Sequence, residues 1–135
     1  MFNLFKKQIS QQDFEEEDSP QALILRSVFE SSDEFGSEEE VQAIYELEDK
    51  LEEVFMGTGY DVDGHEIGNT EFVIYIYGED ADEAFNLSKV ALRTSPFVWF
   101  NVTLRYGAVD DKSAVEKRIR INSKNMEVNT HSRDS

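Results

Sequence analysis

Phe72-Val73-Ile74-Tyr75-Ile76-Tyr77-Gly78-Glu79-Asp80-Ala81 decides the fold of this chain. Its first six residues are β-branched or aromatic, which fits a pleated surface and predicts a strand. They are apolar on both faces, so the strand belongs in the middle of a sheet. Gly78 ends it. Asp80, with Glu83 three residues on, then opens a helix over 80–94. Ala81, Ala84, Phe85, Ser88, Ala91 and Leu92 give this helix a narrow apolar stripe, and Thr94-Ser95-Pro96 closes it. Upstream, Tyr60-Asp61-Val62 reads as the other arm of a hairpin over 60–78. Asp63-Gly64 and Gly68-Asn69 supply its turn chemistry.

Working outward, residues 97–106 alternate. Val98, Phe100, Val102, Leu104 and Tyr106 share one face, and Trp99, Asn101, Thr103 and Arg105 the other. After a loop from Gly107 to Ser113, Val115, Lys117, Ile119 and Ile121 predict a last strand that turns Glu116, Arg118 and Arg120 outward. Before the hairpin, Ser37 and Glu40 make a capping box for a helix over 38–56. Val41, Ile44, Tyr45, Leu47, Leu51, Val54 and Phe55 form its buried stripe, while Glu46, Asp49, Lys50, Glu52 and Glu53 lie on the wet side. Gly57 and Gly59 stop it. Residues 21–29 fit a short helix or a buried strand equally well by pattern. The architecture favours a strand, because the first helix otherwise has no strand before it. The order is then strand, helix, strand, strand, helix, strand and an added strand. This is an α+β, ferredoxin-like βαββαβ sandwich with an additional C-terminal strand and two helices on one face of an antiparallel sheet.

Of 135 residues, 29 are acidic and 13 basic, a net charge of −16, and the excess is uneven. Residues 1–56 hold 16 acidic against 4 basic residues, a balance of −12; residues 57–135 hold 13 against 9, a balance of −4. Such a field repels nucleic acid and anionic lipid and favours a basic protein partner. The chain has no cysteine, which excludes disulfides, thiolate metal sites and cysteine nucleophiles and suits a cytoplasmic setting. No apolar run is long enough for a membrane span. Residues 1–19 are expected to be a disordered acidic tail ending in Glu15-Glu16-Glu17-Asp18. Residues 20–122 are expected to be one domain, and 123–135 a second disordered tail. Met1-Phe2-Asn3-Leu4-Phe5-Lys6-Lys7 reads either as a membrane-touching end or as a mobile tail.

No catalytic or metal motif stands out, and no cofactor is expected. Asp61-Val62-Asp63-Gly64-His65-Glu66 begins like a calcium loop, but His65 stands at the fifth position, Glu66 at the sixth and Phe72 at the twelfth, so the pattern fails. His65, a possible general base beside Asp61, Asp63 and Glu66, reads as an exposed turn histidine, since no nucleophile or second ligand accompanies it. Gly57-Thr58-Gly59 is too short for a phosphate loop and follows a helix, the wrong order for one.

The face of the sheet away from the helices would carry Tyr75, Tyr77, Trp99 and Arg105. Such aromatics stack bases in RNA-binding sheets, but the net charge argues against nucleic acid. A protein interface, including a homodimer through the open sheet face, fits better. Alternatively the fifth strand or a tail folds over that face.

Phe35-Gly36-Ser37, Leu47-Glu48-Asp49-Lys50-Leu51, Asp63-Gly64-His65-Glu66-Ile67-Gly68, Tyr75-Ile76-Tyr77-Gly78-Glu79-Asp80-Ala81-Asp82 and Leu104-Arg105-Tyr106-Gly107 together resemble a family of small acidic bacterial proteins with no assigned activity. The likeness covers about residues 21–121. It implies a bacterial, cytoplasmic, single-domain protein and no catalytic residues. Two functions follow as expectations. One is a non-enzymatic binding module, for instance an immunity or inhibitor protein docking a basic partner through Glu46, Asp49, Glu53, Tyr75, Tyr77, Trp99 and Arg105. The other is a small-ligand sensor or enzyme using the turn from Asp61 to Glu66 with Tyr75 and Tyr77.

Overall fold

Each predicted helix has one apolar stripe, and both stripes need the same kind of cover. The computed structural model, which describes residues 20–108 and 110–126, supplies it with a single sheet. The elements are β1 (Gln21–Val28), α1 (Glu38–Phe55), β2 (Asp61–Gly68), β3 (Glu71–Gly78), α2 (Ala81–Thr94), β4 (Trp99–Arg105) and β5 (Glu116–Asn122). The sheet order is β2-β3-β1-β4-β5, and every neighbouring pair is antiparallel. The first four strands have the ferredoxin-like arrangement, with β5 added beside β4. Residues 21–28 are a strand, and β1 and β3 take the central positions that their two-sided apolarity requires.

Register fixes the faces. Leu23 pairs with Ile76 and Leu104, and Leu25 with Ile74 and Val102. Together with Phe72 and Phe100 these side chains are buried under α1 and α2. From the helices come Ile44, Leu47, Leu51 and Phe55 of α1 and Ala81, Ala84, Ser88, Ala91 and Leu92 of α2. The small residues of α2 let its axis approach its neighbours closely, and the Ser88 hydroxyl is satisfied by the Phe85 carbonyl at 2.7 Å. Fully burying a Leu, Ile or Phe side chain stabilises by roughly 1.5–3 kcal/mol, so this layer carries the fold.

The helix starts follow their caps. The Ser37 hydroxyl accepts from the Glu40 amide, and the Glu40 carboxylate accepts from the Ser37 amide at 2.9 Å. Glu40 also accepts from the Ser31 hydroxyl at 2.6 Å and from the amides of Glu30 and Ser31, which ties the β1–α1 connection to the helix. Asp80 caps α2, and the Gln21 side chain accepts from the Ala81 amide at 2.8 Å. Tyr60 and Tyr106 then donate to Glu83 and Asp82 in the first turn of α2. Burial and then the Asp82 carboxylate push the Tyr106 hydroxyl up to about 12.

Four sequence expectations are corrected. Asp63-Gly64 is not a turn: β2 is continuous, and the pairing shifts between Val62 and Gly64, a β-bulge in which Gly64 takes φ 122°. The turn lies at Asn69 and Thr70, both at positive φ. The bulge reverses the alternation of β2, so His65 is no exposed turn residue; it pairs with Ile74 and faces the helices. Tyr45, expected in the buried stripe of α1, is 49% exposed. Val115, expected to open the last strand, precedes β5 and is 68% exposed.

The packed chain also runs past residue 122. Ser123 is fully buried and donates to the Phe97 carbonyl at 2.6 Å, and Met126 packs against the core. Of the expected tails, 1–19 and 123–135, residues 1–19 and 127–135 lie outside the described residues, as does the N-terminal apolar peptide. No helix among the described residues is long and apolar enough to cross a membrane.

Candidate functional site

The residues expected to bind a partner fall on opposite sides of the molecule. Glu46, Asp49 and Glu53 are exposed on the solvent side of α1. Tyr75, Tyr77, Trp99 and Arg105 belong to the far face of the sheet.

The solvent side of α1 is acidic with an apolar margin. The helix holds eight acidic residues and one base, Lys50. The amide of Gln42 donates to Glu46 at 3.3 Å. Tyr45 and Met56, the latter 77% exposed, stand on the same helical face as Asp49, being four and seven positions from it. The Tyr45 ring is held from below by the His65 ring in a T-shaped contact, with ring centroids 5.4 Å apart. His65 Nδ1 in turn lies 2.7 Å from Glu48 Oε2, and both groups are largely sheltered. The pair clips α1 to β2 and orients an aromatic ring that stays half in water. Sequence reasoning missed Tyr45 as a surface anchor because its position borders the buried stripe.

The open sheet face is arranged in rows across the five strands. One row runs Asp61, Tyr77, Ala22, Arg105, Glu116; the next runs Gly64, Tyr75, Ile24, Thr103, Arg118; the third runs Glu66, Val73, Arg26, Asn101, Arg120. The face is therefore acidic at its β2 edge and basic at its β5 edge. The Tyr75 hydroxyl donates to Glu66 at 3.0 Å, and burial followed by this carboxylate raises its pKa. Burial and then Asp63 and Glu66 raise that of Tyr77. Asp61, Asp63, Tyr77 and Arg105 are all engaged in interactions.

Arg105 is occupied with its own loop. It donates to Glu116 at 2.7 Å and to the carbonyls of Ala108 and Asp111. Those contacts with Arg105, after burial is set against them, hold Glu116 below the usual carboxylate range. Trp99 is 49% exposed and stacks under the Arg120 guanidinium, 4.7 Å from the ring centre. Between Arg26, Tyr75, Asn101, Thr103, Arg118 and Arg120 lies a shallow depression of about 560 Å³. β5 extends the sheet beside β4 and does not fold over this face.

The segment from Asp61 to Glu66 does not gather a reaction centre. The bulge sends His65 to the helix side, while Asp61 and Glu66 face the other way with Tyr77 and Tyr75. Among the described residues, no group of three or more His, Cys, Asp or Glu side chains is placed to hold a metal ion. Compared with protein-family models, with curated proteins and with solved structures, the chain finds no match in any of the three.

Proposed function

We propose that this chain is a non-enzymatic protein-binding module that docks a basic protein partner on the solvent side of α1. Glu46, Asp49 and Glu53 steer the encounter, and Tyr45 with Met56 provides the desolvated anchor. One observation carries this reading: a half-exposed aromatic ring, fixed by His65 and Glu48, stands inside an acidic helical face. Aromatic anchors ringed by polar groups are the usual energetic centre of interfaces.

The charge distribution of α1 supports it. Glu52 and Glu53 lie in the last turn, which has no basic residue. That turn is the negative end of the helix dipole, where each added carboxylate costs about 0.3–1 kcal/mol. Local stability therefore opposes these residues, and recognition of a cationic surface explains their presence. An immunity or inhibitor protein that neutralises a basic enzyme is the concrete form, and the bacterial resemblance and cytoplasmic setting belong to the same proposal.

The test is binding kinetics with a basic protein captured from the source organism. Replacing Glu46, Asp49 and Glu53 by Lys should slow association and remove its salt dependence, because the encounter is steered over a screening length of about 8 Å at physiological ionic strength. Tyr45→Ala should leave association nearly unchanged and speed dissociation. If both variants bind as the natural protein does, α1 is not the docking surface.

A further inference from the structure

A second recess, of about 280 Å³, lies at the end of the sheet, where β1 closes and both α1 and β4 begin. Glu30 and Glu39 reach it from the β1–α1 side, Pro96 and Trp99 from β4 and its approach, and Arg120 from β5. Val28 and Trp99 line it as large apolar side chains, both half-exposed. The recess therefore belongs at once to the acidic helix and to the end of the aromatic sheet face.

We infer that this recess takes an arginine side chain presented by the basic partner, so that the docking surface of α1 continues round the end of the sheet onto Trp99. The inference rests on the reading of α1 as the face that meets that partner. Three observations support it.

The first is charge. Three carboxylates, Glu30, Glu39 and Glu40, line the recess against one guanidinium, Arg120. Glu40 is engaged by the amides and the hydroxyl of the β1–α1 connection, and Arg120 lies over the Trp99 ring. Glu30 and Glu39 are exposed, and their side chains make no hydrogen bond or ion pair with another described residue. Two carboxylates on different elements suit a planar guanidinium, which donates from two edges at once. The stem of that arginine is apolar and packs on Val28 and Trp99.

The second is that the walls are already set. The Glu40 carboxylate holds the amides of Glu30 and Ser31 at 2.9 and 3.2 Å. The buried Ser27 hydroxyl donates to the Trp99 carbonyl at 2.8 Å, and Ser123 donates to the carbonyls of Phe97 and Val98. A guest side chain meets a formed recess and pays little ordering entropy in the protein.

The third is continuity. Glu39, Glu46 and Glu53 are spaced seven residues apart on α1, two helical turns each, and so form one line along its solvent side. The residues proposed to steer the partner point, at the start of the helix, to the mouth of this recess.

Trp99 is the single tryptophan of the chain, so its emission reports directly from the site. The probe is an end-blocked glycine–arginine–glycine tripeptide, titrated into the full chain beside its citrulline counterpart, which keeps the shape of arginine without the charge. The arginine probe should change Trp99 emission saturably, and the citrulline probe should not at the same concentrations. Glu30→Gln and Glu39→Gln should each weaken the arginine probe about tenfold, the scale of one hydrogen bond to a charged group. Both leave Glu40, and with it the β1–α1 connection, in place. Tyr45→Ala should leave the titration unchanged. A failed titration therefore overturns the recess while the kinetic test of α1 stands by itself. Equal responses to arginine and citrulline, no effect of the two glutamine variants, or a stronger response to a glycine–glutamate–glycine probe, which would make Arg120 the dominant group, would also overturn the inference.

Discussion

Glu40 concentrates more of the architecture in one carboxylate than any other acid of α1. Its two oxygens accept from the amides of Glu30, Ser31 and Ser37 and from the Ser31 hydroxyl. Burial works to raise its pKa, but these hydrogen bonds outweigh it and bring the group from 4.5 down to about 2. The charged form is therefore the one the folded state prefers. Because the folded pKa lies below the unfolded one, this stability is fully present above pH 4.5 and is lost as the pH falls toward 2. Each tenfold change in proton affinity is worth about 1.36 kcal/mol, which sets a ceiling of about 3 kcal/mol. Glu40 is partly exposed, and solvent screening reduces that to about 1–2 kcal/mol.

Glu40→Gln keeps the shape and one acceptor oxygen but removes the charge. Urea denaturation of both proteins should show the variant less stable at neutral pH by about 1–2 kcal/mol. The gap should close between pH 4.5 and 2, where the natural carboxylate itself becomes neutral. Asp111 and Glu116, also held below the usual carboxylate range, titrate in both proteins and cancel from the difference. A gap that stays constant across that window would show that Glu40 acts by shape alone. No gap at neutral pH would show that the β1–α1 connection does not depend on it.

Ile74→Asp should prevent folding, because Ile74 is fully buried between β1 and β2 under the helices and an unpaired carboxylate there costs several kcal/mol; circular dichroism of the purified variant checks this, and an unchanged melting temperature would place the side chain on the other face. Gly78→Ala should destabilise through a clash, since a Cβ at Gly78 would lie 1.9 Å from the Tyr60 ring, and Tyr60 is itself fixed by Phe55 and Glu83. A loss of about 1–3 kcal/mol in denaturation is expected from such overpacking, with relief in the double variant Gly78→Ala, Tyr60→Leu.

The elements that are legible in the sequence are those whose signals are local. β3 is a run of six β-formers ended by glycine, and α1 and α2 announce themselves through Ser37–Glu40 and Asp80–Glu83. β1 needed the whole arrangement to be recognised, because its pattern alone also fits a helix. The misreadings share one cause, which lies in partner strands. Asp63-Gly64 is a turn signal in isolation and becomes a bulge only because β3 continues past it and pairs on both sides. That single insertion changes the parity of β2 and carries His65 from water to Glu48. Tyr45 then becomes the outer wall of that contact instead of core. At the other end, Val115 has the right alternation but falls before β5, where the Tyr106 amide takes its carbonyl at 2.9 Å. Ser123 carries no apolar signal; its burial follows from the Phe97 and Val98 carbonyls that it satisfies.

The same layering that fixes the core also separates the charges of the described chain. α1 holds eight acids against Lys50, whereas α2 is balanced by Lys89 and Arg93 and β5 has Lys117, Arg118 and Arg120 against Glu116. Of the described elements, α1 therefore carries the largest net negative charge. A helix and a sheet packed face to face put roughly 10 Å of apolar side chains between their outer surfaces. No rigid partner docked on the solvent side of α1 touches Tyr75 or Arg105, and nothing seated on the open sheet touches Tyr45. The acidic and aromatic residues that the sequence offers as one interface are therefore two. Among the described residues, α1 sets an exposed aromatic ring in a face of eight acids against one base, which is why we place the proposed partner there.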